Sequence, residues 1–206
     1  MAEFLTVTLI AILAVVSPGP DFAVVMRNSL RYSRSAGYAT ALGIALGLSI
    51  HVTYSLIGIG LIISRSILAF NILKYLGAAY ILYIGIQALK TRAHAQAGET
   101  PHQSEDIPFA QAVKMGFLTN ALNPKVTLFF LALFTQVISP HISLIVKFLF
   151  GAEIMFIAFA WFLALSYLLT MGGVKAVIQR IQHHVERAMG VVLIALGIKV
   201  AFFTNR

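Results

Sequence analysis

Six apolar runs, each near the length needed to cross a bilayer, constrain this chain more than any other feature in it. A hydrocarbon core of about 30 Å takes roughly 20 apolar residues per helical crossing. The runs extend from Phe4 to Met26, Ala36 to Ile63, Ile67 to Leu89, Gly116 to Ile138, Leu144 to Met171 and Ala188 to Phe203, the last being the shortest. With 59% hydrophobic and 11% charged residues, the chain cannot dress itself in the polar exterior of a soluble domain. The runs are continuously apolar and lack the alternation of an outer-membrane barrel. The expected fold is therefore an all-α membrane protein of six transmembrane helices.

The first run has the length of a signal-peptide core, but Glu3 ahead of it and Pro18 and Pro20 behind it make a poor leader and a poor cleavage site. It is expected to stay as a helix. The chain has 15 Lys and Arg against 7 Asp and Glu, a formal charge of +8, scattered between the runs with no basic stripe. Nucleic acid is not an expected partner; in a membrane chain such an excess records orientation. Nine of the 15 (Arg27, Arg31 and Arg34, Lys90, Arg92 and Lys114, and Lys175, Arg180 and Arg187) fall on one side of the six runs. The positive-inside rule places that side in the cytoplasm and both termini outside. With no cysteine, disulfides, thiolate zinc sites and iron–sulfur clusters are excluded. No cofactor or metal site is expected, and His183 and His184 are read as headgroup neighbours.

The whole chain, 1–206, reads as one transmembrane domain, with residues 1–90 a first three-helix half and 109–206 a second. Between them, 91–108 has the composition of a flexible cytoplasmic linker. Residues 173–187 alternate apolar and basic positions at helical spacing, which suits a helix lying in the inner interface.

Ionisable side chains deep in a span cost about 2.5 to 3.5 kcal/mol each on insertion scales, and Asp21, Lys125 and Glu153 all lie within runs. Lys125 is roughly 13 and 20 Å from the ends of its run at helical rise. Glu153 could sit protonated against a carbonyl, and Asp21 could be a helix cap or a surface ion pair with Arg27. The surroundings of Asp21 argue for more. In Ser17-Pro18-Gly19-Pro20-Asp21, Pro18 cannot donate to the Ala14 carbonyl nor Pro20 to that of Val16, and Gly19 does nothing to hold the helix together. This breaks the first helix, and bare backbone groups in lipid are tolerated only where they line a cavity or are buried in protein. A simple proline kink is the alternative. The fourth run repeats the device in Asn120-Ala121-Leu122-Asn123-Pro124-Lys125, where Pro124 frees the carbonyl of Asn120. Pro18 and Pro124 are 106 residues apart in a chain of 206, with three runs from one break to the next. Interruptions at matching places in two halves point to a 3+3 inverted repeat with a binding site near the midplane.

A broken helix offers amides on a positive dipole end and carbonyls on a negative one. A zwitterion fits: its carboxylate would meet Lys125 and the amides after Pro20, its ammonium free carbonyls with Asp21 or Glu153, and Asn120 and Asn123 stand beside them. A direct Asp21–Lys125 ion pair would weaken that inference. The second run carries Ala39, Gly43, Gly47 and His51 at i+4 spacing, a face for close helix approach. His51 is either a packing residue bonded across helices, or a proton carrier or substrate contact. Phe129, Phe130 and Phe134 are read as packing or lipid contact. Neither a zinc HExxH motif nor a serine-nucleophile setting is found, so a transporter is expected in preference to an enzyme.

These residues resemble the LysE/RhtB superfamily of bacterial amino-acid exporters, especially its homoserine and threonine exporter branch. The likeness rests on Ser17 to Asp21, on Gly43, Gly47 and His51, and on Lys74 to Tyr80 with Gly85. It continues through Asn120, Asn123, Pro124 and Lys125 to Glu153 ahead of Trp161. The resemblance implies efflux of small amino acids across the bacterial inner membrane, driven by the proton gradient and often by a homodimer. The proton would ride on Asp21, Glu153 or His51.

Overall fold

The structure, a computed structural model, describes residues 2–65, 106–136 and 142–171, with isolated helical positions between 68 and 90 and between 187 and 198. Apart from those positions, the third and sixth runs, the linker up to residue 105 and the interfacial helix 173–187 lie outside the described residues.

All regular structure among the described residues is helical: α1 (Ala2–Val16), α2 (Pro20–Arg31), α3 (Arg34–Arg65), α4 (Phe109–Ala121), α5 (Pro124–Gln136) and α6 (Leu144–Leu169). Helices α3 and α6 are each long and apolar enough to cross a membrane alone. The other four form two bent pairs. The axes of α1 and α2 meet at 53° and those of α4 and α5 at 55°. Both breaks fall where proline removes a donor. Helix α1 keeps the Ser17 N–H bond to Leu13 at 3.2 Å and stops, and Pro20 opens α2 at a position where its ring costs nothing. At the second break, Asn123 turns its N–H back to the Asn120 carbonyl at 2.9 Å. Its side-chain Oδ1 accepts the N–H of Lys125 at 3.0 Å, an N-cap for α5. The helix of the fourth run begins at Phe109, ahead of the apolar stretch that starts at Gly116, with Pro108 at its N-cap and the Pro108 carbonyl accepting the Ala112 N–H at 3.1 Å.

Helix α3 is the centre of the packing, against α2, α4, α5 and α6, and α1 leans on α6. The small-residue face of α3 does what its spacing predicts: Gly43 lies against the Val113 carbonyl and Gly47 against Asn120. From α4, Gly116 returns the contact against the Thr40 carbonyl. A Cβ at Gly43 or Gly116 would strike backbone that cannot move aside. Val7, Val25, Ile44, Phe130, Ile154 and Leu165 are among the side chains filling the core. Outward, α6 exposes Ile145 (72%) and Phe156 (71%), and α1 exposes Leu5 and Leu9. Apolar exposure on that scale is a liability in water and the ordinary lipid face of a bilayer protein. The chain is an all-α membrane protein whose two broken helices match the expected pair; the 3+3 comparison of halves needs the third and sixth runs, outside the described residues.

Candidate functional site

Both breaks open onto the same place. Four half-helix ends meet there: the carbonyl ends of α1 and α4, negative by the helix dipole, and the amide ends of α2 and α5, positive. Each carbonyl end has acquired a donor from another helix. Lys125, in the first turn of α5, reaches across to the end of α1, where Nζ donates to Ser17 Oγ at 2.7 Å, the Pro18 carbonyl at 3.1 Å and the Ser17 carbonyl at 3.4 Å. The carbonyl that Pro124 leaves without its helical partner, that of Asn120, takes Nε2 of His51 at 2.9 Å. A carbonyl can only accept, so His51 carries a proton on Nε2. Its Nδ1 pairs with the Tyr54 hydroxyl at 2.7 Å. The glycine face of α3 delivers His51, fully buried, to that point.

Asp21 sits in the first turn of α2 without capping it. Its Oδ2 accepts from Asn120 Nδ2 at 2.8 Å, tying the first break to the second. Lys125 acts on the same carboxylate electrostatically, and the Asn123 carboxamide approaches it. Since Asn123 Oδ1 is engaged in capping α5, its amide nitrogen is the group left for Asp21. Two buried oxygens here have no hydrogen-bond partner: Asp21 Oδ1 and Asn120 Oδ1. An unpaired buried acceptor costs about 1–3 kcal/mol, so a donor brought to either oxygen would be stabilising.

These groups border a cavity of about 70 Å³ lined by Ser17, Gly19, Asp21, Asn120, Asn123 and Lys125 from the breaks. Its other walls are hydrocarbon from α1, α3, α5 and α6, among them Ile44, Phe129, Phe130 and Ile154. Since about 10–15 Å³ is the least that admits one water, the space is large enough for more than one. Asp21, Asn120, Asn123 and Lys125 are thus brought together. Glu153 and His51 are placed elsewhere. Glu153 Oε1 lies 2.5 Å from the Thr8 hydroxyl on α1, its Oε2 is buried without a partner, and the cavity wall is formed by its neighbour Ile154. His51 is bonded behind the second break and does not line the cavity.

A family model described as LysE type translocator matches residues 12–203. The chain belongs to that family. It is a membrane translocator, not an enzyme. Among relatives of this LysE-type chain, an uncharacterized membrane protein of Bacillus subtilis, YrhP, is 29% identical over 92% of the chain and 94% of its own length. A threonine efflux protein of Escherichia coli K12 is 27% identical over 95% of each. Another, from Salmonella typhimurium, is 28% identical over 96% of the chain and 97% of its own length. No solved structure matches the chain.

In this LysE-type chain, Phe129 and Phe130 turn out to face the cavity, and fully buried Phe130 is no lipid contact. The sequence offered no sign of this, since an aromatic run on an apolar helix looks the same on either face. Ile154, Ala158 and Phe162, also on the wall, repeat every fourth residue along α6. That stripe was available to be read, but in a helix apolar all round it does not stand out.

Proposed function

We propose that this chain exports small neutral amino acids from the cytoplasm, with the double break as the substrate site and the proton gradient as the driving force. The observation that carries the reading is the pairing, around one small cavity, of a carboxylate and an ammonium, with two buried acceptor oxygens of the lining residues left unpaired. A zwitterion answers all of them at once. Its α-ammonium donates to Asp21 Oδ1 and Asn120 Oδ1, and its carboxylate meets Lys125, whose ammonium keeps its bonds to Ser17 Oγ and the Pro18 carbonyl, and the first-turn amides of α2. The threonine efflux relatives make threonine the first candidate to test.

The coupling proton rides on Asp21, Glu153 or His51. Asp21 touches substrate directly, Glu153 keeps an open carboxylate oxygen between α1 and α6, and His51 holds the second break through a proton on its ring. In this reading the chain sits in the bacterial inner membrane with its N-terminus outside and works as a homodimer. Two three-helix halves, 1–90 and 109–206, joined by the 91–108 linker, rock about the shared site, as inverted-repeat transporters do.

Solute counterflow in proteoliposomes tests the site. Vesicles preloaded with threonine or homoserine should take up the labelled amino acid, and Asp21→Asn should abolish that uptake. Uptake at the level of empty liposomes for every amino acid tried would refute the reading.

A further inference from the structure

The division of labour inside the cavity goes further than a site for amino acids in general. Its polar lining is confined to the two breaks, residues 17–21 and 120–125. Lys125, which also holds Ser17 Oγ at 2.7 Å and the Pro18 carbonyl at 3.1 Å, and the α2 amides serve a carboxylate, Asp21 and Asn120 serve an ammonium, and Asn123 Oδ1 is already engaged in capping α5. Whatever the ligand carries beyond its α-carbon must therefore lie against the rest of the wall. There it meets Ile44 and Leu48 of α3, Phe129 of α5, and Ile154, Ala158 and Phe162 of α6. Not one of these side chains can donate or accept a hydrogen bond.

We propose that this compartment receives the substrate side chain and makes the site selective for small aliphatic amino acids, valine before its isostere threonine, and against charged or large aromatic ones. The inference rests on the reading of the double break as an amino-acid site. Valine and threonine have nearly the same shape, and differ here in whether a methyl or a hydroxyl is pressed against hydrocarbon. A buried hydroxyl without a partner is penalised, and hydrophobic pockets discriminate between these two by about 100-fold. An ammonium or guanidinium on the side chain would be left without a counter-charge. Size sets the upper limit. A cavity of about 70 Å³ suits a small side chain better than the ring of phenylalanine or tryptophan. Ala158 is the one small residue in its stripe along α6, between Ile154 and Phe162, so its side chain sets the depth of the compartment.

The test is counterflow in proteoliposomes of the full chain, with labelled valine, threonine, alanine, lysine and phenylalanine each paired with the same unlabelled amino acid inside. Valine should half-saturate at a concentration about 10- to 100-fold below threonine, with lysine and phenylalanine at background. Ala158→Leu should fill the compartment and invert the order of valine and alanine. Threonine equal to or better than valine, or an unchanged order in folded Ala158→Leu protein, overturns the side-chain assignment and leaves the amino-acid site standing. Counterflow with no amino acid overturns both.

Discussion

Replacing Lys125 by methionine keeps most of the side chain's volume and removes only its ammonium. That ammonium serves Ser17 Oγ at 2.7 Å and the carbonyls of Pro18 and Ser17 at 3.1 and 3.4 Å. Stripped of it, the carbonyl end of α1 loses its donor and Asp21 its nearby positive charge. At about 1–3 kcal/mol for a buried acceptor left unpaired, and allowing for the partial exposure of Lys125, about 2 kcal/mol of stability should go. The effect on binding is separate. With substrate present, the third donor of the Lys125 ammonium gains a carboxylate, and a hydrogen bond to a charged group contributes about 1.5–3 kcal/mol. Affinity for a zwitterion should therefore fall about 10- to 150-fold. The assay is counterflow inhibition by two ligands, threonine and the amine that remains when its carboxylate is removed. Lys125→Met should weaken the first and leave the second unchanged or better, since the carbonyls of the first break become free for an ammonium. Equal weakening of both ligands, or none of either, would refute the role assigned to Lys125.

Gly43→Ala and Gly116→Ala should each destabilise by about 1–3 kcal/mol, because the added methyl meets a backbone carbonyl of the facing helix; thermal unfolding in detergent checks this, and unchanged midpoints would contradict it. His51→Ala leaves the Asn120 carbonyl without its outside donor and should lower the midpoint, while His51→Gln, whose amide can still donate, should recover part of the loss. For the coupling proton, at least one of His51→Gln, Glu153→Gln and Asp21→Asn should lose gradient-driven accumulation, and any carrier other than Asp21 should keep counterflow when neutralised. Full gradient-driven transport by all three would remove every candidate.

How far the sequence carries depends on whether a feature is local. The two breaks could be read from proline chemistry alone, since a missing N–H is a property of one residue, and both fell at the residues named. The glycine face of α3 was likewise legible, because i+4 spacing on a helix is fixed by geometry. Its consequence was not. That His51 would replace the donor Pro124 lacks depends on how α3 crosses α4, and no spacing encodes that. That Lys125, read as a carboxylate contact, also caps the carbonyl end of α1 is a contact between residues more than 100 positions apart, which no local pattern encodes. Glu153 looked equivalent to Asp21 as a buried acid, yet α6 turns it toward Thr8 and presents Ile154 to the cavity. Which face of a uniformly apolar helix points inward is set by its neighbours, and this also hid Phe129, Phe130 and the α6 stripe.

The central claim is that a proton gradient drives a small neutral amino acid outward through the double break. Everted membrane vesicles from cells overproducing the chain, given an inward-acid pH gradient, report on it directly. The expected result is accumulation of labelled valine, threonine or homoserine that collapses with a protonophore and is lost in Asp21→Asn. Equal uptake by vesicles lacking the chain, for every amino acid tried, would contradict it.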